Sequence, residues 1–95
     1  MSASASSPRV VSRDMEWFTV CIYTRNQIGM LMTISSIFTR LGADIWSLTA
    51  IPTSTEGIRK ITVETYTSRD GVEAITKQIE RKIEVIKASY YEREL

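Results

Sequence analysis

The sequence predicts an α+β domain in which two helices cover one face of a four-stranded antiparallel sheet. Two segments keep apolar residues at helical spacing. Four others are short, rich in aromatic and β-branched residues, and bounded by turn residues. Their order is strand, helix, strand, strand, helix, strand, with short connections. Right-handed crossovers in this order place both helices on the same face of the sheet.

Length and composition are those of one small domain. The chain has 95 residues, of which 43% are hydrophobic, enough for one modest core. We expect residues 1–15, which are small and polar, to form a disordered leader, and residues 16–92 to form the domain. The net charge of +1 favours neither nucleic acid nor an acidic membrane, and no stretch approaches the roughly 20 apolar residues of a membrane span.

The cysteine and histidine content limits the disulfides, catalytic bases and metal sites that the chain could form. Cys21 is the only cysteine, so no internal disulfide forms, and the chain starts without a signal-peptide pattern. We therefore expect a cytoplasmic protein in which Cys21 is a buried, inert thiol. The chain has no histidine, which removes the commonest general base and the commonest transition-metal ligand.

The first strand is predicted over Glu16–Thr24, where both faces are largely apolar, as in a central strand. The first helix is predicted from Gln27 or Ile28 to Leu41, because apolar residues keep helical spacing and Gly42 follows. The apolar positions are Met30, Leu31, Ile34, Ile37, Phe38 and Leu41.

The second strand is predicted over Asp44–Thr53 and ends at Pro52, and turn residues follow it. In the third strand, Ile58–Thr67, Ile61 and Val63 share one dry face and polar residues occupy the other.

Asp70, with Glu73 three residues later, is a capping-box pattern that predicts the start of the second helix. The helical stripe consists of Val72, Ile75, Ile79 and Ile83. The fourth strand is predicted over Glu84–Glu92. This order is that of the ferredoxin-like fold, which hosts many unrelated functions, so the function must be argued from the sites.

A glycine lies in the predicted first turn of the first helix, where it costs about 1 kcal/mol relative to alanine. We predict that Asn26 caps this helix and that the backbone N–H groups of Gln27, Ile28 and Gly29 stay free at its positive end. Glycine would then leave room for a ligand carboxylate to approach the backbone. The alternative is that Gly29 only permits close packing on the sheet and that Asn26 is an ordinary cap.

Two features favour a protein partner. The non-core side of the first helix has a single charge, Arg40, whereas a solvated helix face normally carries several. Its other residues are Thr33, Ser35, Ser36 and Thr39. The first two strands also have more apolar residues than one helix layer covers, among them Trp17, Tyr23, Trp46 and Leu48. The alternative is that these are scattered surface residues.

Three motifs together resemble a known family. They are the Asn-x-x-Gly-x-Leu run Asn26–Leu31, the Ile-x-Ser-Leu run Ile45–Leu48, and the ending "TKQIERKIEVIK". From about Phe18 to Tyr91 the chain resembles the ACT domain of the small regulatory subunit of acetolactate synthase, also called acetohydroxyacid synthase.

The resemblance implies a non-catalytic subunit that binds and activates a thiamine-diphosphate-dependent catalytic subunit. It implies a homodimer through ACT domains, with one continuous eight-stranded sheet. A branched-chain amino acid, usually valine, binds at the dimer interface and inhibits by feedback. The resemblance implies no cofactor in this subunit, and thiamine diphosphate, Mg and FAD in the catalytic partner. The alternative is a free-standing amino-acid-binding ACT protein that regulates a different enzyme.

Carried over residue by residue, the resemblance implies a ligand site shared by two chains. Residues 26–31 of one chain hold the ligand, with Leu31 against its aliphatic side chain, and positions 44 and 45 of the other chain meet it. The residues are Asn26, Gln27, Ile28, Gly29, Met30, Leu31, Asp44 and Ile45.

Asp44 departs from the family pattern, which has asparagine at this position. An amide can donate to the ligand carboxylate, whereas an ionised carboxylate accepts only and repels another carboxylate. We therefore expect weak or altered amino-acid regulation, and we expect Asp44→Asn to tighten valine binding.

Other functions of this fold fit less well. An RNA recognition motif stacks bases on aromatic rings in the third strand, where this chain has Ile61 and Val63. Metal-transfer members need Cys-x-x-Cys in the first loop, and this loop reads "TRNQIG". Without histidine, only scattered carboxylates remain for catalysis. Many family members carry a second domain, so we expect this chain to be either a short member or a fragment.

Overall fold

A computed structural model describes residues 15–93. The elements are β1 Met15–Arg25, α1 Met30–Arg40, β2 Asp44–Pro52, β3 Ile58–Ser68, α2 Arg69–Glu80 and β4 Val85–Glu92. The strands form one antiparallel sheet in the order β2-β3-β1-β4. The ferredoxin-like prediction is confirmed, and each predicted strand end is correct to within one residue. The predicted leader lies outside the described residues, apart from Met15, which begins β1.

The core lies between the sheet and the two helices. Alternate residues of β1 and β3 face the helices, because side chains in a strand alternate between the two faces of the sheet. Ile61 and Val63 are buried, which confirms the predicted dry face, and β1 is central, as its apolar composition predicts. The fully buried apolar residues are Phe18, Val20, Ile22, Ile34, Ile37, Phe38, Ile61, Val63, Val72, Ile75 and Ile79.

Helix α1 begins later than predicted, and its N-cap residue is Gly29, so the prediction that Asn26 caps it is wrong. Asn26 belongs to the end of the sheet, because its backbone N–H donates to the Gly57 carbonyl at 2.9 Å. Gly29 has φ +90°, a left-handed conformation that glycine adopts at little cost. A Cβ at this position would meet no atom within 4 Å, so close packing does not explain the glycine.

Helix α2 also begins differently. Ser68 is its N-cap, and the Ser68 hydroxyl oxygen accepts from the Gly71 N–H at 3.0 Å, so the predicted capping box is wrong. Glu73 instead accepts a hydrogen bond from the Tyr90 hydroxyl at 3.0 Å. The helix ends at Glu80, so Ile83 does not continue its buried stripe.

The face of the sheet opposite the helices carries an aromatic cluster. The Trp17 ring lies 5.0 Å from that of Trp46 and 5.2 Å from that of Tyr66, centroid to centroid. These three rings therefore form a cluster and are not scattered. Cys21 lies on the same open face and is half-buried, so the prediction of a buried thiol is wrong. Leu48 lies on the other face, partly buried against the core.

Candidate functional site

A groove of about 670 Å³ runs between the outer side of α1 and strand β2. Its walls are mostly small or apolar residues, as predicted for a contact surface. Arg40, the one charge there, donates to the Gln78 side chain at 2.9 Å. The lining residues are Leu31, Met32, Ser35, Ser36, Thr39, Arg40 and Leu48.

A second cavity, of about 480 Å³, lies at the N-terminal end of α1. Five of the eight predicted ligand residues meet there, namely Asn26, Gln27, Ile28, Gly29 and Leu31. Met32 and Arg59 complete the lining. Met30, also predicted, points instead into the core and is buried.

The other two predicted residues lie at the far end of the sheet. Asp44 on β2 pairs with Tyr66 near the end of β3. Arg25, the residue before Asn26, pairs with Ile58 at the start of β3. Eight residues of β3 separate these two rows, a distance of about 26 Å at 3.3 Å per residue. One copy of the chain therefore does not bring Asp44 and Ile45 to Asn26.

Arg59 is a cavity residue that the sequence interpretation missed. It lies on β3 two residues before Ile61, and therefore on the helix side of the sheet. The alternation of the third strand could have predicted this placement. Arg59 lies two residues before Ile61 and therefore shares the face of Ile61 and Val63.

The N-terminal end of α1 is electrostatically positive. No acidic residue lies in its first turn and no side chain caps it. The first hydrogen bond of α-helical spacing runs from the Thr33 N–H to the Gly29 carbonyl at 2.9 Å. The N–H groups of the first turn are therefore those of Met30–Met32, three residues later than the predicted Gln27–Gly29.

Gly29→Ala should lower the free energy of unfolding by about 1–2 kcal/mol, because a Cβ disfavours the left-handed conformation. Gly29→Asn should lower it less, since asparagine tolerates this region better. Urea denaturation of both variants measures the difference. Equal stability of wild type and Gly29→Ala would contradict the conformational explanation.

Among residues 15–93, no group of three or more His, Cys, Asp or Glu side chains is placed to hold a metal ion. In the same part of the chain, none of the helices is both long and apolar enough to cross a membrane.

Comparisons with known proteins show the family of the chain. Residues 21–87 match the family model of the AHAS small subunit-like ACT domain. The acetolactate synthase small subunit of Buchnera aphidicola subsp. Baizongia pistaciae is 34% identical over 73 residues, which are 77% of this chain and 46% of that protein. The chain spans about half the length of the curated relatives it matches.

Two solved structures share the fold. The acetolactate synthase small subunit of Thermotoga maritima superposes with a TM-score of 0.71 at 24% identity, covering 79% of this chain and 47% of that one. The ACT domain from a GTP pyrophosphokinase of Chlorobium tepidum gives 0.68 at 12% identity, covering 81% of this chain and 99% of that one.

The element order, the sheet and the family match define an ACT domain of ferredoxin-like fold. Within that class, the chain belongs to the family of AHAS small subunit-like ACT domains.

Proposed function

We propose that this chain is the ACT domain of an acetolactate synthase regulatory subunit, which activates the catalytic subunit and senses a branched-chain amino acid, valine, for feedback inhibition. The observation that carries the proposal is the cavity at the N-terminal end of α1, where Asn26–Gly29 and Leu31 meet. Asn26 and Leu31 also line an adjoining cavity that the edge strand β2 reaches with Ala50 and Pro52. The identity of the enzyme in this proposal, acetolactate synthase, is taken from the names of the relatives.

Strand β2 supports pairing with a second copy. It is an edge of the sheet, and Asp44 is its only charged residue. Natural edge strands are commonly protected by charged side chains, above all lysine. The middle of β2 has no such protection, and the α1 groove of small and apolar residues lies beside it. Antiparallel pairing of β2 with β2 of a second copy would extend the sheet to eight strands.

Such pairing also completes the ligand site. In an antiparallel pair, the start of one strand lies beside the end of the other. Asp44 and Ile45 of the second copy would then approach Pro52, whose neighbour on β3 is Arg59 of the cavity. Two-fold symmetry gives each dimer two equivalent sites.

The cavity suits a small amino acid with an apolar side chain. Asn26 and the positive end of α1 offer donors to a carboxylate. Leu31 and Met32 are partly or largely exposed there and offer an apolar wall for an aliphatic side chain. Valine would bury part of this apolar surface, which favours binding.

The catalytic chemistry is assigned to the partner. Thiamine diphosphate, Mg and FAD belong in this proposal to the catalytic subunit, and no residue of this chain has a catalytic role. The contribution of this chain is to bind that subunit and to change its activity when the amino acid binds.

A thermal-shift panel with each common amino acid tests the ligand. A ligand at a hundred times its dissociation constant adds about 2.7 kcal/mol to folding stability. For a domain of this size, that should raise Tm by about 10–20 °C. We expect a shift for valine and its branched-chain neighbours and none for charged amino acids. Absence of a shift with every amino acid would contradict sensing, and co-purification with the catalytic subunit would then test the subunit role separately.

A further inference from the structure

The sheet face opposite the helices, called the open face below, is rich in aromatic side chains. No element among residues 15–93 covers it, since both helices pack on the other face. An antiparallel sheet face in water is normally polar, and a large exposed apolar patch marks a contact surface. Here Trp46 is 65% exposed and Tyr91 is 54% exposed. The aromatic residues of the open face are Trp17, Tyr23, Trp46, Tyr66 and Tyr91.

The middle of the open face is a row of small residues. Cys21 on β1 pairs with Thr62 on β3 and with Ser89 on β4, and Thr62 pairs with Thr49 on β2. Two sheets that pack face to face lie about 10 Å apart, with strand directions within about 30° of each other. Small side chains in the middle let two such faces approach to this distance without steric overlap.

The two ends of the open face differ in charge. Lys60 and Lys87 lie at the end where β1 finishes, and neither forms an ion pair within residues 15–93. Asp44 lies at the end where β1 begins and is also without an ion pair in that range. Glu64 is already neutralised by Arg93 at 3.3 Å. An antiparallel second open face therefore brings lysines over Asp44, whereas a parallel one opposes like charges.

The proposed β2 pairing determines where two such layers overlap. With Asp44 beside Pro52 of its pairing partner, the two-fold axis passes Leu48, which is level with Val20 on β1. A second eight-stranded sheet, stacked about an axis in this row and perpendicular to the strands, places each strand antiparallel over its counterpart. Lys60 then lies about 11 Å from Asp44 of the facing copy, Cα to Cα, given layer and strand spacings of about 10 and 4.8 Å. The two side chains together span this distance.

The area of the open face is sufficient for a stable complex only when eight strands take part. Four strands about 4.8 Å apart and eight residues of about 3.3 Å each give about 500 Å² per copy. Two copies alone would bury about 1,000 Å², the lower limit for a specific interface, whereas two eight-stranded sheets bury about 2,000 Å². Stacking therefore requires the β2 dimer.

We propose that two β2-paired dimers stack through their open faces and form a tetramer, with Lys60 of each copy against Asp44 of the facing copy. The lysine stem also packs on the Tyr66 ring beside Asp44, which suits its apolar carbons and its charge. The proposal rests on the proposed function, because it requires the β2 dimer. It goes beyond that function by assigning an occupant to the face of the sheet that β2 pairing leaves exposed.

Lys60→Glu and Lys77→Glu form a matched pair for sedimentation equilibrium. Both make the same change of charge, but Lys60 lies over the open face, 5.9 Å from the Tyr23 ring centroid, and Lys77 is exposed on α2. We expect Lys60→Glu to raise the dissociation constant of the tetramer into dimers about 100-fold, because symmetry repeats the lost attraction four times. Lys77→Glu should change it by less than about threefold.

Asp44→Lys tests the other half of the contact. Alone it should weaken the tetramer as Lys60→Glu does, and the double variant Lys60→Glu/Asp44→Lys should recover most of the loss. Lys77→Glu/Asp44→Lys has the same net charge and should not recover it. Equal recovery by the two double variants would reduce the effect to net charge and overturn the Lys60–Asp44 contact.

The reactivity of Cys21 reports which face is covered, because it is the only cysteine of the chain and lies in the middle of the open face. We expect alkylation by N-ethylmaleimide to slow as wild type becomes tetrameric, and to stay fast in Lys60→Glu. A wild type that remains dimeric, or a tetramer in which Cys21 reacts as in the dimer, would overturn the stacking and leave the β2 dimer standing. Protection of Cys21 only after the catalytic subunit is added would also overturn it, in favour of that subunit. A monomeric wild type would remove the proposed β2 dimer as well.

Discussion

Met32→Glu is expected to convert the proposed dimer into a monomer without unfolding it. The Met32 side chain is 76% exposed in one copy, so the change costs the isolated fold little. It lines the α1 groove that a second copy would cover. A carboxylate enclosed there without a partner costs several kcal/mol, and each 2.7 kcal/mol is about a hundredfold in dissociation constant. Two-fold symmetry applies the cost twice per dimer.

Sedimentation velocity over a range of concentrations measures this effect. Ala74→Glu is the matched control, because Ala74 is exposed on α2 and lies outside the groove. It adds the same charge and should leave the dimer intact. A dimer that survives Met32→Glu would place the interface elsewhere on the molecule. Valine binding should also be lost, both because the proposed site needs residues from both copies and because Met32 itself lines the proposed ligand cavity, so the dimer is judged from sedimentation alone.

Ile79→Ala should lower the free energy of unfolding by about 2–5 kcal/mol, whereas Ile83→Ala should change it by less than about 0.5 kcal/mol. Both residues are isoleucines, and both belong to the helical stripe predicted from the sequence, in which they lie one turn apart. Ile79 is 0% exposed and packs in the core, and Ile83 is 88% exposed beyond the end of α2. Only the first change leaves a cavity.

Urea denaturation followed by tryptophan fluorescence measures both variants. For a domain of this size, the loss in Ile79→Ala is a large part of the total stability, commonly 5–15 kcal/mol. Similar losses for the two variants would mean that Ile83 is buried in solution, for example under a partner subunit or by a longer α2. Circular dichroism of wild type separates these two explanations, because only a longer α2 would raise the helix content.

The local patterns of the sequence were enough to predict the fold. Alternation in Glu16–Thr24 and Ile58–Thr67, and helical spacing up to Leu41, specified element type and order, because each pattern suits only one backbone period. The resemblance located five of the cavity residues, since residues 26–31 are contiguous in the chain and fold together.

Helix starts were less predictable from the sequence. Asn26 and Asp70 are both good capping residues, yet Gly29 and Ser68 cap the helices. Sheet pairing decided this, because the Asn26 N–H is taken by the Gly57 carbonyl, and β3 extends to Ser68 before α2 can begin. A capping preference worth about 1 kcal/mol does not outweigh several strand hydrogen bonds.

By itself, the sequence determined the class of domain, its elements and its family resemblance, because all of these reside in contiguous residues. Only the tertiary structure decided which residues share a site. It set Asp44 at the opposite end of the sheet from Asn26, buried Met30, and brought Arg59 into the cavity. Strand register and sheet order control these placements, and they arise from contacts between residues far apart in the chain.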